Sequence, residues 1–288
     1  MRSNIAGNSV ARSTEAEWRA GGRYTRLSEG VTHWRREGPE SGVPLLLVHG
    51  ATVPCWGFDC LVPSLLQAGF QTLRFDLYGH GSSDCPHGDY SLARFVRQTI
   101  EIIEASDFPQ PAIMLGHSFG ASIVASVAAA RPEWTSRLAL VAPMLDFNST
   151  SAWTKVFRIP GVGEVAMHFI GLPALIRRRR RRYQHIGQTH LAQRFIEQVS
   201  HAGFARGLLS MIRTAALGDQ SARYAALRGL DRDILVITGD NDAVIPLKHI
   251  AQMRSLLPPH THCPIKAEHN LLLTHPDAVV SAMLSWSR

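Results

Sequence analysis

No stretch of this 288-residue chain is apolar for long enough to cross a bilayer. The longest strongly apolar runs, Pro44 to Val48 and Ala121 to Ala130, fall well short of the roughly 20 residues that a spanning helix needs. The N-terminus, "MRSNIAGNSVARSTEAEWRAGG", lacks the apolar core of a secretory signal, and Glu15 and Glu17 speak against an organelle transit peptide. Residues 1–22 are expected to be a loose leader. Cysteine is sparse: Cys55, Cys60, Cys85 and Cys263 form no CxxC pair. A chain of this size needs no disulfide staples, so reduced thiols and a cytoplasmic location are expected. No GxGxxG follows a strand-like run, and "GHGSSD" has no lysine of the kind a phosphate loop needs. His80, Cys85 and His87 have residue types suited to a metal, but their spacing fits no ligand pattern and reads as solvated turn residues. No cofactor and no metal are expected.

What is present points to a large core. Apolar residues make up 45% of the chain, enough for one large domain or a domain with an insertion. The net charge is +7, but Arg177 to Arg182 supply six arginines in one run and the remainder is nearly balanced. There is no internal repeat. Short apolar runs of strand type occur at Pro44 to Gly50, Gln71 to Asp76, Pro111 to Gly116, Arg137 to Pro143, Asp233 to Gly239 and Thr261 to Lys266. Helical patterns separate most of them: "SLARFVRQTIEIIEASDF", with Ser91 as its cap, "SFGASIVASVAAA", and the C-terminal "PDAVVSAMLSWS". Strands that are apolar throughout and spaced by helices imply an α/β fold, a mostly parallel, doubly wound sheet covered on both faces. The alternation breaks between Pro143 and about Gly229, where only helix-like stretches such as "HLAQRFIEQVSHAGFARGLLSMIRTAAL" occur. The expected organisation is a core of residues 23–143 and 230–288, with residues 144–229 as a helical cap over one end of the sheet.

Ligands of open α/β sheets bind at the carboxyl ends of the strands. There the chain leaves His49-Gly50-Ala51, then Asp76, Ser118, Asp146, Asp240 with Asp242, and His269. Serine, aspartate and histidine follow in that order. "GHSFG" puts Ser118 on a strand-to-helix bend where Gly116 and Gly120 remove the Cβ atoms that would collide with neighbouring backbone. The helix that follows aims its unpaired N–H groups at any anion formed beside Ser118.

These features resemble those of the α/β-hydrolase superfamily, in its cap-bearing serine hydrolase and esterase–lipase form. The resemblance runs from about Val31 to the end. It rests on "HG" after a sheet strand, "RFDLYGHGSSD", "GHSFG", "GDNDAVIP", and a histidine followed by Asn270 before the last helix. It implies a triad of Ser118 as nucleophile, His269 as base and Asp242, whose spacing to Pro246 matches the family's, as the acid. Asp146 is an outside candidate for the acid, Asp240 lies nearer its strand, and Asp76 is expected to tie down the "LYGHGSS" turn. Among the other histidines, His260 and His262 sit at or in a strand, His275 starts the last helix, and His117 is expected to pack rather than react. The N–H groups of Phe119 and Ala51, with Thr52 behind Ala51, are the expected oxyanion donors. The family often has glycine before its histidine; here Glu268 stands there, a carboxylate that would bias the site's pH behaviour.

The implied activity is cleavage of a carboxylic ester, of lipid or aryl type, through an acyl-enzyme, with a small-molecule ester as partner and no nucleic acid. The same triad could cleave a carbon–carbon bond, a lactone or an amide, and a hydrolase scaffold could also serve as a binding protein. The arginine run is too short and lacks the interleaved aromatics of a nucleic-acid surface. On a helix, six successive arginines surround the axis, so one or two could turn inward to meet a substrate carboxylate or phosphate. The expectation is nonetheless a solvated face whose stems cover apolar cap surface.

Overall fold

The computed structural model describes residues 21–150, 152–201 and 203–287, so the expected leader falls almost wholly outside it. Eight strands form one sheet: β1 Arg23–Arg26, β2 Val31–Glu37, β3 Val43–Val48, β4 Phe70–Phe75, β5 Ala112–His117, β6 Thr135–Val141, β7 Ile234–Gly239 and β8 Thr261–Ile265. Their order across the sheet is β1-β2-β4-β3-β5-β6-β7-β8. All six strands expected from apolar runs are there, within a residue or two of their expected ends, and they pair in parallel. Leu46, Val48, Met114, Leu138 and Leu140 enter one buried cluster, while Leu45, Leu47, Ile113, Leu115, Ala139 and Val141 enter another. This period-two division shows why the strands read as unbroken apolar runs: each face of the sheet has its own core.

β1, at one edge of the sheet, and β2 beside it were missed by that criterion. They pair antiparallel with each other and with β4. "VTHWRRE" mixes Thr32, His33 and Trp34, all buried, with partly exposed arginines. Neither an apolar run nor a polar–apolar alternation marks this strand in the sequence.

Helices cover the sheet. In the first half these are α1 Val62–Gln67, α2 Leu92–Ala105 and α3 Phe119–Ala130. Ser91 caps α2 as expected, its Oγ accepting the Arg94 N–H at 3.3 Å. Among the described residues between β6 and β7 there are helices and no strand: α4 Trp153–Phe157, α5 Val162–Ala166, a π turn over Met167–Gly171, α6 Leu172–His185, α7 Thr189–Ser200, α8 Phe204–Arg213 and α9 Ser221–Ala226. This helical segment packs into the sheet's own core through Met167, Met211, Ile212 and Leu217. Polar ties add to the packing. Gln198 accepts the Gly81 N–H at 2.7 Å, and Arg194 reaches Asp59 at 2.9 Å. The chain then closes with α10 Leu247–Leu256, α11 Leu271–Thr274 and α12 Pro276–Ser287. No described helix is long and apolar enough to cross a membrane.

Strand order reverses around β3, which has β4 on one side and β5 on the other. The crevice at such a switch point is where open α/β sheets hold ligands, and the ends of β3 and β5 carry His49 to Thr52 and Ser118.

Candidate active site

Ser118 stands between β5 and α3 with φ 55°, ψ −116°, a left-handed conformation that L-residues rarely adopt. Its surroundings hold it there. A Cβ on Gly120 would run into the carbonyl oxygens of Val48 and His49, and one on Gly116 into the backbone of Gly120 and Ala121. β3, β5 and α3 can approach this closely only because both positions are glycine. Ser118 is also fixed by its own peptide: its N–H donates to the Val141 carbonyl at 2.9 Å.

The loop after β8 brings His269 to this bend. Its Nε2 lies 3.0 Å from Ser118 Oγ, and its Nδ1 lies 2.7 Å from Asp242 Oδ2. Asp242 reaches across from the turn after β7. Its other oxygen accepts the N–H groups of Val244 and Ile245 at 2.7 and 2.9 Å. Burial alone would raise the pKa of Asp242, but its hydrogen bond and charge contact with His269 and the two backbone donors outweigh that and lower it. All three side chains are at most 8% exposed. The geometry therefore supplies a hydroxyl, an imidazole that can take its proton, and a carboxylate that fixes the imidazole's orientation.

The rival residues lie elsewhere. Asp146 Oδ1 accepts the Ser149 N–H of its own loop at 3.1 Å, and Asp240 is exposed. His260 bonds within its own turn, His262 Nε2 meets Thr238 Oγ1 at 2.8 Å, and His275 contacts Thr274 just before α12. His117 packs as expected: Nε2 donates to the His269 carbonyl at 3.2 Å, and burial pushes its pKa down to about 3. Asp76 does tie down its turn. It accepts the Ser82 N–H, and the Cys55 N–H from the loop after β3, each at 3.0 Å. Burial would raise its pKa, but a 2.8 Å hydrogen bond from His33 and the nearby imidazoles hold it well below the carboxylate range.

The loop after β3 is set by two histidines whose part the sequence did not disclose. His49 Nδ1 donates to its neighbour's carbonyl, Gly50, at 2.7 Å, while its Nε2 accepts the Leu77 N–H at 2.9 Å. In a trans peptide the Gly50 carbonyl and the Ala51 N–H point in opposite directions, so this bond aims the Ala51 N–H. His80 Nε2 meets the Ala51 carbonyl at 2.9 Å and holds the next peptide. Phe119 is the first residue of α3, so its N–H has no helical acceptor. His80 is buried and bonded to backbone, not a solvated turn residue as its sequence suggests, whereas His87 turns to Arg206. The buried grouping of His33, Cys55 and Asp76 had not been anticipated; its donor atoms lie within 4.8 Å of one another.

A cavity of about 630 Å³ opens at Ser118 and His269. Met144, Phe147, Met167, Ile212 and Leu217 make part of its wall apolar, and α6 brings arginines to the rest. Here the expectation of a solvated arginine face is corrected. Arg177, Arg178, Arg180 and Arg181 are exposed, but Arg179 and Arg182 turn inward. Arg182 pairs with Glu268, the carboxylate next to His269. Arg179 donates to Asn270 Oδ1 at 2.6 Å and to Thr52 Oγ1 at 3.0 Å. A helix 14 residues long cannot keep six adjacent side chains on one face.

The chain belongs to the α/β hydrolase family, whose model matches residues 45–282. It is 27% identical over 232 residues to 2-hydroxymuconate semialdehyde hydrolase of Pseudomonas putida, covering 75% of this chain and 76% of that one. It is 33% identical over 123 residues to monoglyceride lipase of Mus musculus, covering 40% of each. A crystal structure of a hydrolase from Pseudomonas aeruginosa aligns over 98% of this chain and 99% of its own, at TM-score 0.73 and 24% identity, and so shares the fold. Family and fold together support a hydrolase activity.

Proposed function

We propose that the protein is a serine hydrolase that cleaves a carboxylic ester of a small molecule through an acyl-enzyme. The observation that carries this is the unbroken line from Ser118 Oγ through His269 to Asp242 Oδ2, with Ser118 and His269 lining a cavity whose wall is partly apolar. Ser118 Oγ attacks the ester carbonyl while His269 Nε2 takes its proton. The oxyanion that forms is met by the N–H groups of Phe119 and Ala51. His269 then passes the proton to the departing alkoxide, which leaves as the alcohol and an acylated Ser118. Water attacks that acyl group with His269 again as base, releasing the acid and restoring the serine. Asp242 stays ionised and holds the imidazolium in place.

Partial similarity to a monoglyceride lipase and the apolar wall support an ester of lipid or aryl type. The second reading is that the same residues open a different bond. It is favoured by the longer match, which is to a 2-hydroxymuconate semialdehyde hydrolase. Labelling with a fluorophosphonate and assay of p-nitrophenyl esters of several chain lengths test the first reading. Ser118→Ala should abolish labelling and lower kcat by roughly 10⁴-fold or more. Labelling of Ser118 without turnover of any ester would move the assignment to the second reading.

A further inference from the structure

Arg179 is the exception among the inward-turning arginines of the segment between β6 and β7. Arg182 pairs with Glu268, Arg194 with Asp59, and Arg213 with Glu164. Each of these latches has a carboxylate, the partner that offsets the loss of water around a guanidinium. The partners of Arg179 carry no carboxylate: the Asn270 amide oxygen, the Thr52 hydroxyl, the Tyr183 side chain one turn along α6, and the ring of Phe195, 5.6 Å from the guanidinium carbon to its centroid. Burial and the neighbouring Arg178 disfavour the charged form, lowering its pKa, yet arginine keeps its proton. A cation is thus held without a counter-ion at the wall of the cavity that contains Ser118 and His269.

Its position gives that charge a use. Thr52 follows Ala51, and Asn270 follows His269, so the guanidinium spans the two loops that flank the reacting atoms. Its planar fork matches a carboxylate bidentately, and an incoming carboxylate can replace the Asn270 or Thr52 oxygen as acceptor. The rest of the wall favours the same sign: Arg177, Arg178, Arg181 and Arg182 border the cavity with Glu268. Of the two arginines that α6 turns inward, Arg182 is already paired with Glu268, so Arg179 is the inward fork left without a carboxylate, and one fork matches one carboxylate.

We propose that Arg179 is a substrate-recognition residue that binds a free carboxylate, so that the preferred substrate carries a carboxylate close to the bond being cleaved, as in a half-ester of a short dicarboxylic acid. This deepens the ester reading above, on which the word ester rests; the carboxylate site itself does not depend on it.

Binding and turnover separate the two. In Ser118→Ala protein, calorimetry with monoethyl succinate, glutarate and adipate and with the matching diethyl esters reads the site without cleavage. At least one half-ester should bind about 10-fold or more tighter than its diester, as expected for a charge-assisted bond. Adding Arg179→Gln should remove the preference and Arg179→Lys restore part of it, whereas Arg180→Gln, on the exposed side of α6, should keep it. In active enzyme, kcat/KM for the same half-ester against ethyl butyrate should follow the same pattern, and free dicarboxylate should slow fluorophosphonate labelling of wild type. Equal affinity for every half-ester and diester pair, or a preference that survives Arg179→Gln, overturns the proposal. Should Arg179→Gln fail to fold, absence of protection by succinate, glutarate and adipate in wild type overturns it equally. A preference for half-esters with no cleavage of any ester upholds the carboxylate site and overturns the ester reading instead.

Discussion

Asp242 Oδ2 stands 2.7 Å from His269 Nδ1, although the two residues come from different turns, after β7 and after β8. β7 and β8 are parallel neighbours with Gly239 opposite Ile265, so their following turns emerge side by side. Asp146, after β6, begins one strand further away and its carboxylate is engaged by its own loop.

Asp242→Asn should therefore reduce kcat far more than Asp146→Asn. A neutral amide can still accept from Val244 and Ile245 but no longer stabilises the imidazolium; a loss of about 10⁴-fold is the scale for such a change in a triad. Asp146→Asn should stay within about threefold. Steady-state kinetics on a p-nitrophenyl ester checks the ranking, and the reverse order would assign the acid to the turn after β6.

His49 should act on turnover through the loop it holds. His49→Ala removes the donor to the Gly50 carbonyl and strands the buried Leu77 N–H. Freed from that bond, the Ala51 N–H loses its aim. A complete oxyanion donor is worth about 10²–10³ in kcat, so a loosened one should cost roughly 10- to 100-fold, with KM within about threefold. A general loss of packing would instead raise KM alongside the fall in kcat. Steady-state kinetics with both constants resolved distinguishes the two.

Stability should fall as the medium is acidified below neutrality. Burial pushes His49 and His117 down to about 3 and lowers His80. In the unfolded chain such groups titrate near the ordinary histidine value of about 6.5. The folded pKa lies below the unfolded one, so the unfolded state binds protons first. Stability is complete above about pH 6.5 and is lost as pH falls towards 3, by at most about 1.4 kcal/mol per pH unit for each histidine. Thermal unfolding followed by circular dichroism should show a Tm lower by about 5 °C or more at pH 5 than at pH 7.5. His117→Asn, which keeps a donor for the His269 carbonyl, should flatten that slope. A Tm independent of pH between 7.5 and 5 would contradict the buried, neutral state of these histidines.

The parts of the fold that could be read from sequence were those whose cause is local. β3, β5, β6 and β7 show as apolar runs because both faces of each are covered, and Ser91 shows as a cap because its side chain bonds three residues along. β2 escaped because its buried Thr32 and His33 are polar, and a buried polar residue is marked by its partner, not by its own chemistry. Ser118 was legible because its bend demands glycine on either side. The roles of His49 and His80 were not, since a histidine that holds a backbone carbonyl has the same letter as one that titrates in solvent.

The sequence by itself determined the alternation of strand and helix, the bend at Ser118, and the order in which serine, acid and histidine reach the strand ends. Each follows from steric or periodic demands within a few residues. Tertiary structure decided which of those residues meet. Ser118 and His269 are 151 positions apart and touch only because the sheet order closes that distance. It also decided the fate of the arginines. The packing of α6 against α7 turns Arg179 towards Thr52 and Asn270 while Arg180 faces water. Six identical letters hold no information about phase, and only the contact between α6 and the loops at the ends of the strands supplies it.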